Sequence, residues 1–195
     1  MAHNLFETII HIDQEILIYL NNLGTKQWDP FWMAITNQFN WVPLFLLVLF
    51  LVIKTFGWKR GGFIILTMIV LVAFSDQFTN LIKNTTQRLR PNNDPSINHL
   101  LRIVYSPKGY SFMSGHATTS SFFSVYVLLL LKNKFKNYIF LVLLFPVFFS
   151  YSRLYLGVHF PIDVLTGIAI GSSLAVIYHK LILKISKRIF TTSIQ

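Results

Sequence analysis

The sequence predicts an all-α integral membrane protein, a bundle of about five transmembrane helices preceded by an interfacial N-terminal helix. Composition is the first reason: of 195 residues, 53% are hydrophobic and 12% charged, with a mean hydropathy of +0.54. That is too apolar for a soluble domain of this length and too short for two membrane domains. The second reason is punctuation. Long apolar runs end in lysines and arginines, as membrane helices do. One domain is expected over residues 1–195, with interfacial helices in 1–40 and a transmembrane core in 41–188.

Residues 4–22 carry apolar groups interrupted by Glu7, Asp13, Gln14 and Glu15, a pattern closer to an amphipathic helix in the interface than to a span. Trp28, Phe31, Trp32 and Trp41 then read as an aromatic belt at the headgroup level. The first span is 41–53, extending to about Trp58, and it closes on Lys54, Lys59 and Arg60. The second is 62–82, interrupted by Asp76, for which a structural partner within the bundle is expected. Residues 84–113 form a polar connection rich in Pro, Asn and Ser; loops of that length often act as lids. The third span is about 115–131, the fourth 137–151 with a kink at Pro146, and the fifth 161–183.

The absence of cysteine excludes disulfides and thiolate metal sites. A net charge of +10 raises nucleic acid as a partner, but the basic residues sit at the ends of apolar runs, which argues against it. The early acids and the lack of a basic n-region argue against a cleavable signal peptide. Ten lysines and arginines fall on the side holding Lys54, Lys132 and Lys184, and seven on the side holding Lys83 and Arg153. The side with ten is expected in the cytoplasm, giving five spans with the N-terminus outside and the C-terminus inside. An alternative counts 4–35 as a further span and moves only the N-terminus.

With that topology three polar clusters meet on one face: Lys83 with Arg90 and Pro91, Ser114-Gly115-His116, and Arg153 with His159 and Asp163. Ionisable groups at a membrane boundary are costly to keep and mark function. Pro161 suits the first turn of a helix, which puts Asp163 within reach of His159. A carboxylate on one ring nitrogen fixes the tautomer and frees the other as nucleophile or base. Lysine, two arginines and the N–H groups that follow Ser114 suit a phosphate. Taken singly, the cations read as headgroup anchors, Ser114 as an N-cap and His116 as interfacial packing; their joint placement favours a site. Arg88, Arg102 and Lys108 read as solvated surface, and His3, His11, His99 and His179 as bystanders.

The pattern K-x6-RP, SGH, SR-x5-H-x3-D, in that order and at membrane boundaries, resembles the type 2 phosphatidic acid phosphatase family. That family includes bacterial undecaprenyl-diphosphate, phosphatidylglycerophosphate and lipid A phosphatases. One departure stands before SGH, where Met113 replaces the usual proline. The resemblance implies that His159 attacks phosphorus to form a phosphohistidine, oriented by Asp163. It implies that His116 protonates the leaving group and then activates water, and that Lys83, Arg90, Ser114, Gly115 and Arg153 hold the phosphate. It implies no metal or other cofactor. The expectation is a lipid phosphatase at the outer face of a bacterial inner membrane, with a lipid phosphate as substrate and the bilayer as its setting. Undecaprenyl diphosphate is favoured because the chain is short, with lipid A and phosphatidylglycerophosphate as alternatives. A non-enzymatic anion-binding or transport protein is a further reading, but it leaves the spacing of His116, His159 and Asp163 unexplained.

Overall fold

The computed structural model describes residues 2–190, without the side chains of residues 2, 3 and 6, so the expectation for His3 lies outside the described residues. Six helices follow in order: α1 (Ala2–Asn22), α2 (Asp29–Thr36), α3 (Val42–Thr86), α4 (Gly115–Phe135), α5 (Leu144–Tyr155) and α6 (Pro161–Ile189). Short 3-10 segments cover Gln38–Trp41, Pro91–Asn93, Asn98–Leu100 and Lys136–Leu143, and there is no strand among the described residues. Three helical stretches are long and apolar enough to cross a membrane: Gln38–Asn93, Gly115–Tyr155 and Pro161–Ile189.

Two of these stretches fold back on themselves. The 45 residues of α3 would run roughly 68 Å if straight, over twice the ~30 Å bilayer core. Instead the backbone breaks at Gly57, where φ is +72°, a conformation other residues rarely adopt. Past the break, a Cβ on Gly61 would lie 3.1 Å from Ile53 Cα, eight residues back, so the two halves form a tight hairpin. Lys54, Lys59 and Arg60 gather at this turn. The second reversal comes at Lys136 (φ +49°), between α4 and the 3-10 segment leading into α5. Five passes result, as expected.

Element limits shift from the sequence reading. The fourth pass begins as 3-10 helix and becomes α-helical at Leu144, just before Pro146, whose ring lacks the N–H an interior α-turn would use. That helix runs to Tyr155, so Arg153 sits in its last turn instead of beyond it. At the far end of α3, Gln87 adopts a left-handed C-cap and donates its N–H to the Lys83 carbonyl.

The core gathers Val48, Val52, Ile64, Met68 and Leu71 of α3 against Phe122, Tyr126 and Val127 of α4, with Phe145, Ala175 and Ile182. Large apolar side chains also point outward, including Leu46, Phe50, Leu66, Ile69, Leu144, Val147, Leu165 and Ile177. Such an outer surface suits lipid. Since lipid is as apolar as the core, small residues and interhelical hydrogen bonds must hold the bundle. Gly167 and Gly171 of α6 supply the first: a Cβ at 167 would lie 2.9 Å from the Ser114 carbonyl, and one at 171 would run into the Thr118 carbonyl. Ser75 with Thr119 (2.8 Å), Thr67 with Tyr126 (2.9 Å), and Tyr178 donating to the Thr67 carbonyl (2.8 Å) supply the second.

The N-terminal helix α1 buries Asp13, Leu17 and Asn21, one every turn, and leaves Leu5, Ile9, Ile12 and Ile16 exposed. Its apolar face thus points away from the protein, as an interfacial helix requires. Asn21 clamps it: its amide donates to the carbonyls of Tyr155 (2.7 Å) and Arg102 (3.2 Å) and accepts from the Arg102 N–H (2.7 Å).

Candidate active site

Helix ends bring the predicted residues together. Ser114 caps α4 by accepting the Ala117 N–H at 3.4 Å, and its own N–H donates to the Asp163 carbonyl at 3.1 Å. This second bond locks the starts of α4 and α6 side by side. Pro161 opens α6, and Asp163 accepts the Phe160 N–H on Oδ2 at 2.9 Å. The same oxygen lies 3.5 Å from His159 Nδ1, near it but beyond hydrogen-bond range, and Nδ1 has no hydrogen-bond partner among the described residues.

The other ring nitrogen of His159 meets Arg90, with Nη1 3.1 Å from Nε2. A guanidinium only donates, so Nε2 accepts, and the proton belongs on Nδ1, facing Asp163. This is the tautomer that leaves Nε2 as the electron-pair donor. His159 is 1% exposed. Burial first, then the charges of Arg153, Arg90 and Lys83, hold its imidazole well below the ordinary range, so it is neutral at pH 7.

Around Nε2 stand three cations. Arg90 and Arg153 are 6% and 4% exposed, and each keeps a buried Nε without a hydrogen-bond partner. Lys83 Nζ lies 3.6 Å from where a Cβ on Gly115 would sit, so glycine there leaves room for the ammonium. None of the three forms an ion pair with a carboxylate among the described residues. Buried charge without a counterion is costly. The arrangement therefore favours an anion in contact with Nε2.

His116 is stacked on Phe149 with centroids 4.3 Å apart. Its Nε2 is 3.2 Å from the Thr36 carbonyl, which only accepts, so Nε2 carries hydrogen and Nδ1 is left for proton exchange. Thr36 also takes Arg153: its hydroxyl accepts from Nη1 at 2.5 Å. The last residue of α2 thus orients two site residues at once. Nothing in the sequence pattern marked it.

Two residues read as surface are built in. Arg88 donates to Asp163 Oδ1 and Asp13 Oδ2, each at 2.7 Å, and lies 3.9 Å over the Phe160 ring. Arg102 Nη2 donates to both oxygens of Asp29, at 2.8 and 3.0 Å, and Tyr155 donates to the same carboxylate at 2.8 Å. Arg102 thereby fastens the long loop over the site to α2. Lys108 is exposed. Asp76 faces outside the bundle and accepts from Asn80 at 3.3 Å, so the interior partner expected for it is not there.

The chain has relatives in both sequence and fold. The PAP2 superfamily profile matches residues 61–187. A lipid A 4'-phosphatase of Bacteroides thetaiotaomicron is 32% identical over 171 residues, 86% of this chain and 75% of that protein. An undecaprenyl-diphosphatase of Sulfolobus acidocaldarius is 32% identical over 136 residues, 70% of this chain and 60% of that protein. Among solved structures, a transmembrane PAP2-type phosphatidylglycerolphosphate phosphatase from Bacillus subtilis superposes with a TM-score of 0.73 at 20% identity, covering 91% of this chain and 88% of that one. The chain belongs to the PAP2 superfamily and is a multi-pass membrane phosphatase that hydrolyses phosphoric esters of lipids.

Proposed function

We propose that the chain removes phosphate from a lipid A-type glycolipid at the outer face of the bacterial inner membrane, through a phosphohistidine on His159. The observation that carries the chemistry is the uncompensated charge of Lys83, Arg90 and Arg153 beside the acceptor nitrogen of His159. Two features support lipid A over the undecaprenyl diphosphate that short length suggested. The match to the lipid A 4'-phosphatase spans more of this chain, and it covers more of the relative. The outer-face placement rests on the ten-to-seven division of lysines and arginines.

The phosphate displaces Arg90 from Nε2, and the guanidinium then donates to phosphoryl oxygens. Lys83, Arg153 and the first N–H groups of α4 take the remaining oxygens and stabilise charge in the transition state. The Nε2 lone pair forms the P–N bond as the P–O bond to the sugar breaks. That electron pair stays on the leaving oxygen, which takes the Nδ1 proton of His116 from its imidazolium form and leaves Nδ1 bare for the second half. Asp163 steadies the Nδ1–H as positive charge builds on the ring. In the second half a water loses its proton to His116 and attacks phosphorus. The P–N bond breaks, its pair returns to Nε2, and inorganic phosphate leaves.

Phosphate release from purified lipids in detergent tests this reading. Lipid A should be turned over faster than undecaprenyl diphosphate or phosphatidylglycerophosphate, and activity should survive a strong chelator because the cations are side chains. A clear preference for the prenyl diphosphate would overturn the substrate assignment. Loss with chelator and recovery on one divalent metal would overturn the phosphate site.

A further inference from the structure

Arg88 fills an unspecified position between Lys83 and Arg90, and Asp13 lies outside the motifs and precedes the residues matched by the family profile. Yet Asp13 is 2% exposed, in a helix whose other acids are solvated. Its Oδ2 accepts from Arg88 Nη2 at 2.7 Å and its Oδ1 from the Ile162 N–H at 2.8 Å. Arg88 gives its other arm, Nη1, to Asp163 Oδ1 at 2.7 Å. One guanidinium therefore bridges two buried carboxylates, and the second of these serves His159.

Charge explains why two carboxylates are needed. Arg88 alone would neutralise Asp163 and draw its charge away from the imidazole. With Asp13 on the far arm, Arg88 is shared between two carboxylates, so Asp163 keeps more of its charge on Oδ2, which faces His159 Nδ1. Geometry adds to this. With Oδ1 held by Arg88 and Oδ2 by the Phe160 N–H, the carboxylate plane is fixed. The Ile162 N–H is one of the unpaired donors at the start of α6, so Asp13 also pins the turn that carries both Asp163 and Pro161.

We propose that Asp13 and Arg88 are positioning residues for the nucleophile: the interfacial helix α1 supplies a carboxylate that sets the charge and orientation of Asp163, and through it the reactivity of His159. The proposal rests on the assignment of His159 as nucleophile. It makes α1 a functional part of the site and not only a membrane anchor.

A merely structural Asp13 would change how much protein folds; a positioning Asp13 changes the rate constant of the folded molecules. Single turnover with enzyme in excess over lipid phosphate separates the two, because the observed rate constant does not depend on yield. Asp13→Asn should slow that step on the order of 10-fold, as partners that orient a reactive group generally do, with substrate affinity changed less than about 2-fold. Arg88→Lys, which keeps the charge but cannot fork onto both carboxylates, should slow it similarly. In an Asp163→Asn background, Asp13→Asn should add under about 2-fold, since its effect passes through Asp163. An unchanged rate constant in both single variants, or the full loss repeated in the Asp163→Asn background, would overturn the proposal. His159→Ala runs alongside: single turnover by that variant would mean that the nucleophile assignment has failed, whereas its loss together with a normal Asp13→Asn rate would mean that the clamp alone has failed.

Discussion

In the proposed mechanism His116 and His159 have different duties, and the leaving group separates them. His159→Ala removes the electron pair that attacks phosphorus, so turnover should vanish whatever departs. His116→Ala removes a proton donor, worth roughly 10²–10⁴-fold in general. A lipid monophosphate expels an alkoxide and needs that proton. A diphosphate expels a phosphate monoester, whose second pKa is about 6, and needs it less. In the phosphohistidine-forming step, measured by rapid quench, His116→Ala should therefore harm monophosphate hydrolysis more than diphosphate hydrolysis. Equal losses would count against His116 as the acid. Thr36 bears on the same residue. Its hydroxyl holds Arg153 while its carbonyl orients His116. Thr36→Val keeps the carbonyl and deletes the hydroxyl, so it should weaken substrate affinity severalfold while leaving the monophosphate-to-diphosphate ratio unchanged. A shift in that ratio would show that the hydroxyl serves the acid as well.

Helices set the distances between these side chains, and the contact of α4 with α6 is the one on which the site depends. Gly171→Ala puts a methyl group against the Thr118 carbonyl, where overpacking typically costs about 1–3 kcal/mol. A melting midpoint several degrees lower in detergent, with reduced kcat, is expected; an unchanged midpoint would mean that the helices can part without cost. The pair Gly167 and Gly171 follows the small-xxx-small spacing of membrane helices and was open to a sequence reading. So were the Ser114 cap, the Pro161 start, and the hairpin marked by Lys54, Lys59 and Arg60, because each is a local rule written in neighbouring residues. Arg88 was not. It occupies an unspecified position between Lys83 and Arg90, and both of its partners lie 75 residues away. Asp13 resembled a polar interruption of an amphipathic helix, since in an interfacial helix the buried stripe is the polar one. Thr36 contributes a backbone carbonyl to His116, which no residue type announces.

Across the whole molecule, topology decides which lipids can reach the site. Asn93 lies in the loop on the site face and Asn133 near the opposite reversal at Lys136. A cysteine at 93 should react with a membrane-impermeant thiol reagent in intact cells, and one at 133 only after the membrane is opened. The reverse pattern would place the site in the cytoplasm and remove substrates of the outer leaflet. The proposed function centres on one event, transfer of phosphate to His159. Trapping that event tests it most directly. Enzyme mixed with lipid A labelled in its phosphate, quenched within milliseconds in alkali to preserve a phosphoramidate, and digested should carry label on the peptide containing His159. The label should chase to inorganic phosphate with time and be absent from His159→Ala. Label on another side chain, or turnover by His159→Ala at a rate near that of the parent, would contradict it.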